Sequence, residues 1–189
     1  MPTLQRCAWC GDDPVYVSYH DDEWGYPVDD DFRLFEKICL GGFQAGLSWL
    51  TILRKREGYR KAYDQFDPEV VARYDQKKMD SLRQDAGIVR NRLKIEAAVK
   101  NARGYLRILD EHDSFSDYLW SFVGGAPIIG HRATLADIPA RTPTSAVMSK
   151  ELKKYDFKFV GPTICYAFMQ AVGMVNDHTT DCFRYQQLK

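Results

Sequence analysis

The sequence predicts an all-α protein of about eight helices. Three observations carry this. Apolar residues recur at helical spacing, as in Phe32, Leu34, Phe35, Ile38 and Cys39. The breaks between such stretches carry helix-start chemistry, most clearly Asp67-Pro68, an N-cap followed by a proline at the first helical position. No stretch alternates apolar and polar residues over the length of a half-buried strand, and no repeat or low-complexity tract is present.

Residues 1 to 28 mix turn formers (Gly11, Asp12, Asp13, Pro14, Gly25, Pro27) with Trp9, Tyr16, Tyr19, Trp24 and Tyr26. Disordered tails are poor in aromatics, so this irregular segment is expected to be pinned to the body. Asp29 to Asp31 supply acids suited to a helix start, and a helix is expected from Phe32 to Leu40, interrupted at Gly41-Gly42. A second helix covers Gln44 to Tyr63, with Leu47, Trp49, Leu50, Ile52 and Leu53 as its apolar residues. The helix capped by Asp67 turns Val70, Val71 and Tyr74 inward. A short helix over Met79 to Gln84 precedes a long one ending at Leu109, and Phe115 to Val123 forms the next. Gly124 to Thr144, rich in Gly, Pro and Thr, reads as a loop. Thr144 or Ser145 can cap a helix running through Lys154, Thr163 to Val175 is a strongly apolar helix, and the tail from Asp177 is polar. The two sides of the loop share one composition, so residues 1–189 are expected to form a single domain.

The stretch from Ser81 to Tyr105 carries the first functional signal. It reads as a helix ending at Ala86, a turn at Gly87-Ile88-Val89, and a second helix starting near Arg90. Gly87 suits the left-handed conformation that ends a helix, and its missing Cβ lets another backbone approach. The first turn of the second helix has unpaired N–H groups, and Arg90, Arg92 and Lys94 lie beside it. Together they suit a clamp on a phosphodiester. The same residues also fit an ordinary αα-hairpin with a solvated basic face.

Composition narrows the classes. With 45% hydrophobic and 13% aromatic residues, the chain can bury a substantial core. No apolar run approaches the ~20 residues that span a bilayer. The N-terminus lacks the apolar stretch of a secretory signal, so a cytoplasmic protein is expected. Lysine plus arginine equals aspartate plus glutamate, so any nucleic-acid binding must come from local patches. Five cysteines, an odd number, argue against a disulfide framework.

Cys7 and His20 lie at one end of the chain, His178 and Cys182 at the other. Two thiolates and two imidazoles make a complete tetrahedral zinc set, which would tie the termini together and leave no open coordination position. Cys7 and Cys10 have the spacing of a metal knuckle, so either could be the ligand; all of these residues could equally be scattered without a shared role.

The runs YHDDEWG (19–25), QAGLSW (44–49), DAGIVRNR (85–92) and KFVGPTICYAFMQAVGMVNDH (158–178), with Cys182, resemble the DNA-3-methyladenine glycosylase I family. The match is collinear from Cys7 to Cys182. The resemblance implies a helix-hairpin-helix fold whose hairpin, with Gly87, Val89, Arg90, Arg92 and Lys94, grips double-stranded DNA. It implies one structural zinc on Cys7, His20, His178 and Cys182, and a monomeric enzyme. It implies hydrolysis of the N-glycosidic bond of 3-methyladenine without strand cleavage, a base pocket of Trp9, Tyr16, Tyr19, Trp24 and Trp49, and a duplex wedge at Leu47. One departure stands out. Where the resemblance implies a glutamate that hydrogen-bonds the flipped base, this chain has Gly41, with Phe43 close by. Glu36, the nearest carboxylate in sequence, lies on another helical face. The catalytic residue is therefore not assigned, and a DNA-binding homologue of altered specificity or without catalysis is the alternative expectation.

Overall fold

The computed structural model describes residues 4–189. Its helices begin where short polar side chains or prolines meet the chain's first unpaired N–H groups. Asp13 accepts from the Val15 N–H to open α1 (Pro14–Asp22), and Asp30 accepts from Arg33 to open α2 (Asp31–Gln44). Ser48 caps α3 (Trp49–Ala62), Asp67 caps α4 (Pro68–Ala72) and Asp75 caps α5 (Gln76–Leu82). The long α6 (Arg92–Leu109) starts at Asn91, α7 (Phe115–Ser121) at Ser114 and α8 (Pro143–Lys154) at Thr142. α9 (Pro162–Ala171) follows Gly161, and α10 (Phe183–Gln187) follows Cys182.

α2, α6 and α9 carry most of the core. Leu34, Phe35 and Ile38 of α2 meet Ile95, Ala102 and Ile108 of α6 and Phe168 and Met169 of α9 in one buried cluster. α4 packs on α6 and α8 on α9, so the apolar stripes read from the sequence find partners except at Phe32 and Leu47, which are exposed.

Several expectations need correcting. Residues 14–22 form α1, whose Tyr-His-Asp composition gives almost no amphipathic pattern. Gly41 and Gly42 do not interrupt α2, which runs on to Gln44, and the next helix begins only at Trp49. The short helix ends at Leu82 and the long one begins at Arg92. Thr142, rather than Thr144 or Ser145, caps α8, because Pro143 at its first position needs no hydrogen-bond acceptor. The loop at 124–144 contributes a two-residue strand, β1 (Ile128–Ile129), which pairs in parallel with β2 (Val175–Asn176). That pairing is too short to leave an alternating pattern.

Gly87 is not in the left-handed region, and what it supplies is proximity. A Cβ built on Gly58 of α3 would lie 2.4 Å from the Gly87 carbonyl oxygen. The hairpin thus lies against α3 backbone to backbone. Lys55 Nζ donates to the Ala86 carbonyl at 2.8 Å, and the Val89 N–H donates to the Tyr59 hydroxyl at 3.2 Å. Gly58→Ala is expected to force hairpin and helix apart and to lower stability by about 1–3 kcal/mol, measured by urea denaturation. An unchanged midpoint would show that the contact does not set the hairpin's position.

Candidate functional site

Five aromatics, Trp9, Tyr16, Tyr19, Trp24 and Trp49, meet around one cavity of about 340 Å³. Trp9 lies 5.1 Å from Tyr16 and 5.0 Å from Trp24, centroid to centroid. Tyr16 stacks on Tyr19 at 6.4 Å, and Tyr19 lies 5.6 Å from Trp49. The opposite wall comes from α2, with Lys37, Gly41 and Gln44, and from α9, with Phe168 and Gln170. Leu135 and Ile138 of the 124–144 loop close one side. The volume lies within the ~300–1,000 Å³ usual for small-molecule sites, and the ring faces suit a flat aromatic ligand.

Among the described residues, no aspartate or glutamate lines this cavity. Glu36 faces away and pairs with Arg60 at 2.8 Å. Gly41 lines the cavity, and a Cβ there would meet only Ile164 Cγ2 at 3.7 Å, so a side chain has room.

Beside the cavity, the turn between α2 and α3 exposes Leu47. Gly46 holds a φ of +76°, which the tight turn requires. Lys94 was expected on the phosphate-facing side of the hairpin, but it is buried. Its Nζ donates to the Phe43 and Ala45 carbonyls at 2.7 and 2.6 Å, fixing the end of α2 under Leu47. Burial pushes the Lys94 amine down from its ordinary pKa. The Val89 N–H is likewise engaged by Tyr59, whereas Gly87, Arg90 and Arg92 are exposed. Arg92 pairs only loosely, 3.7 Å from Glu96.

The four candidate metal ligands converge. One ligand atom each from Cys7, His20, His178 and Cys182 lies within 4.8 Å of the others, and all four residues are buried. Cys182 Sγ is 3.5 Å from both His20 Nε2 and His178 Nδ1, and Cys7 Sγ is 3.5 Å from His178 Nδ1. The outer ring nitrogens are held as metal-bound imidazoles require: His20 Nδ1 by Asp21 at 2.7 Å, His178 Nε2 by the Trp24 carbonyl at 3.1 Å. Arg6 in turn forks onto Asp21. Burial raises the Asp21 carboxyl, but hydrogen bonds from Arg6 and His20 outweigh it and hold the group below the usual range. The neighbouring sulfur is the main influence on each thiol, pushing Cys7 up and drawing Cys182 down. Cys10, the other candidate ligand, is outside the cluster and bonds the Gly11 carbonyl.

Sequence reasoning missed Lys37, Gln44, Phe168 and Gln170 as cavity lining, and Gly58 and Tyr59 as hairpin supports. Each sits inside a helical stretch that reads as ordinary amphipathic surface or core.

Comparisons with known proteins fit this geometry. A family model for methyladenine glycosylase matches residues 9–185. DNA-3-methyladenine glycosylase 1 of Escherichia coli (strain K12) is 52% identical over 182 residues, which are 96% of this chain and 97% of the relative. A crystal structure of 3-methyladenine DNA glycosylase I superposes with a TM-score of 0.93 at 53% identity, covering 95% of this chain and 98% of the other. A tyrosine-to-phenylalanine mutant of 3-methyladenine DNA glycosylase I, in complex with 3-methyladenine, gives 0.92 at 42% identity, covering 94% and 96%.

Stripping bound metal with a chelator is expected to lower Tm by many degrees, since two thiols and two imidazoles would be left buried without a partner. A scan by circular dichroism checks this. An unchanged Tm would show that the four side chains stand without a metal.

Proposed function

The chain belongs to the methyladenine glycosylase family, and from that membership we propose that it removes 3-methyladenine from alkylated DNA by hydrolysing the N-glycosidic bond. The observation that supports this most is the shared cavity: Trp9, Tyr16, Tyr19, Trp24 and Trp49 surround a single space beside the exposed Leu47 turn.

A base stacked in a duplex is out of reach, so the damaged nucleotide must be rotated out before it can be bound. Leu47 is placed to enter the stack as the nucleotide leaves. The exposed Arg90 and Arg92, with the first turn of α6, hold the backbone. Alkylation at N3 makes the adenine cationic, and ring faces attract a cation. The bond from C1′ to N9 breaks with its electron pair moving to N9. The departing base becomes neutral, and water adds to C1′ to leave an abasic sugar. The leaving group is activated by its own charge, so the step does not demand the acid that Gly41 fails to supply.

The donor set of two sulfurs and two nitrogens fits zinc, which would be structural, with all four positions filled by the chain. Elemental analysis is expected to find one zinc per chain; a preparation that is folded and active with none would rule it out.

Incubation with methylated duplex DNA is expected to release free 3-methyladenine above the spontaneous rate. Failure of correctly folded protein to do so would reject the reading in favour of a binding protein. Gly41→Glu, for which the cavity has room, is expected to raise that release by roughly tenfold through one charged hydrogen bond to the base. An unchanged rate would show that the glycine does not limit activity.

A further inference from the structure

Among the described residues that line the base cavity, Lys37 is the only one of a strongly basic or acidic type. It lies one turn before Gly41 on α2, which places the two on the same face. Its side chain is 17% exposed. The nearest carboxylate oxygen, Glu23 Oε2, is 4.0 Å away, beyond hydrogen-bond reach, and Glu23 is already engaged by Arg56 at 2.6 and 2.8 Å. The Tyr19 ring centre lies 5.9 Å from Nζ. Lys37 Nζ forms no hydrogen bond with any described residue. Burial pushes the amine down from its ordinary pKa, Glu23 and Glu36 pull it up, and Arg56 and Arg33 push it down. An ammonium group has three donors, and a desolvated one with none of them filled is stabilised by any ligand that brings an acceptor.

The cavity's other polar groups complement it. Gln170 Nε2 donates to Asp177 Oδ2 at 2.9 Å, and this assigns the amide's orientation, leaving its carbonyl oxygen as the free acceptor. Asp177 is itself buried and anchored by Arg132 at 2.9 Å and by the Tyr166 hydroxyl. The walls are ring faces, Lys37 stands on the edge that this cavity shares with a second one lined by Glu23, Arg33 and Arg56, and Gln170 offers a neutral acceptor.

We propose that Lys37 is the specificity-determining residue of the base pocket, and that it admits neutral oxopurines alongside alkylated adenine. Its ammonium donates to the carbonyl oxygen or a ring nitrogen of an uncharged base, and it opposes a base carrying a positive charge of its own. This rests on the cavity being the base pocket of the reading above.

Two small probes separate the charge states without DNA: 9-methylhypoxanthine, which is neutral and has a carbonyl, and the 3,9-dimethyladeninium cation. Binding to the metal-loaded, full-length protein is read by quenching of tryptophan fluorescence, since Trp9, Trp24 and Trp49 line the cavity. Wild type is expected to favour the neutral probe. Lys37→Met, which keeps the apolar stem and drops the charge, is expected to shift the ratio of the two affinities toward the cation by roughly tenfold or more, the size of one charge-assisted hydrogen bond. In duplex oligonucleotides, wild type is expected to release hypoxanthine, and the variant to shift the ratio of hypoxanthine to 3-methyladenine release toward 3-methyladenine by a similar factor. An affinity ratio unchanged by the substitution, with Tm and metal content intact, would overturn the proposal. Loss of 3-methyladenine release from both proteins would instead reject the glycosylase reading, which keeps the two failures distinct.

Discussion

The convergence of Cys7, His20, His178 and Cys182 is the constraint on which the rest of the site depends. The first 25 residues and the last dozen have little apolar periodicity of their own, yet the former supply Trp9, Tyr16, Tyr19 and Trp24 to the pocket wall. Trp24 packs edge-on against His178 at 4.6 Å, and Trp9 lies 5.3 Å from His20. The rings that define the cavity are therefore neighbours of the ligand side chains, and whatever holds the four donors together also sets the rings. Fixing both termini at one point closes a loop of nearly the whole chain, where the loss of freedom in the unfolded state is large.

The second half of the site is positioned differently. The Leu47 turn and the glycine hairpin are loops, and loops keep their shape here through polar contacts with backbone. Lys94 bonds two carbonyls at the end of α2, Lys55 bonds the Ala86 carbonyl, and the Tyr59 hydroxyl receives the Val89 N–H. All three anchors come from α3 and α6, the helices that also flank the core. The two loops are thereby tied to core helices, and their side chains Leu47, Arg90 and Arg92 are exposed.

Much of this was legible in the chain. The core helices followed from apolar spacing because α2, α6 and α9 each bury one face. The Cys and His pairs at the two ends offered a possible ligand set, and the aromatics of an irregular segment showed that it is pinned to the body; their gathering into a pocket followed only from the family resemblance. What escaped the sequence has a common cause. Lys94 was taken for a phosphate contact because a lysine beside basic neighbours reads as surface, and nothing local reports a pair of carbonyls waiting 49 and 51 residues away. Gly58 sits inside a helix, where its value lies wholly in what approaches from outside. α1 lacks an apolar stripe because its buried side chains are Tyr19, which lines the cavity, and His20, which joins the Cys and His group.

A cationic pocket wall can coexist with removal of a cationic base, because catalysis depends on differences between bound states. An N3-alkylated adenine is positive when it binds and neutral when it departs. Repulsion from Lys37 therefore weighs on the bound state and fades as the glycosidic bond opens, weakening binding without slowing the chemical step. A neutral oxopurine behaves in the opposite way. It binds Lys37 favourably, and as its bond to C1′ breaks it accumulates negative charge that a nearby ammonium stabilises more strongly in a low-dielectric site. The absence of a lining carboxylate removes the one group that would favour the cation from the start. Gly41 and Lys37, one helical turn apart, thus act in the same direction: together they shift the pocket from recognising a charge on the base toward recognising its acceptor edge.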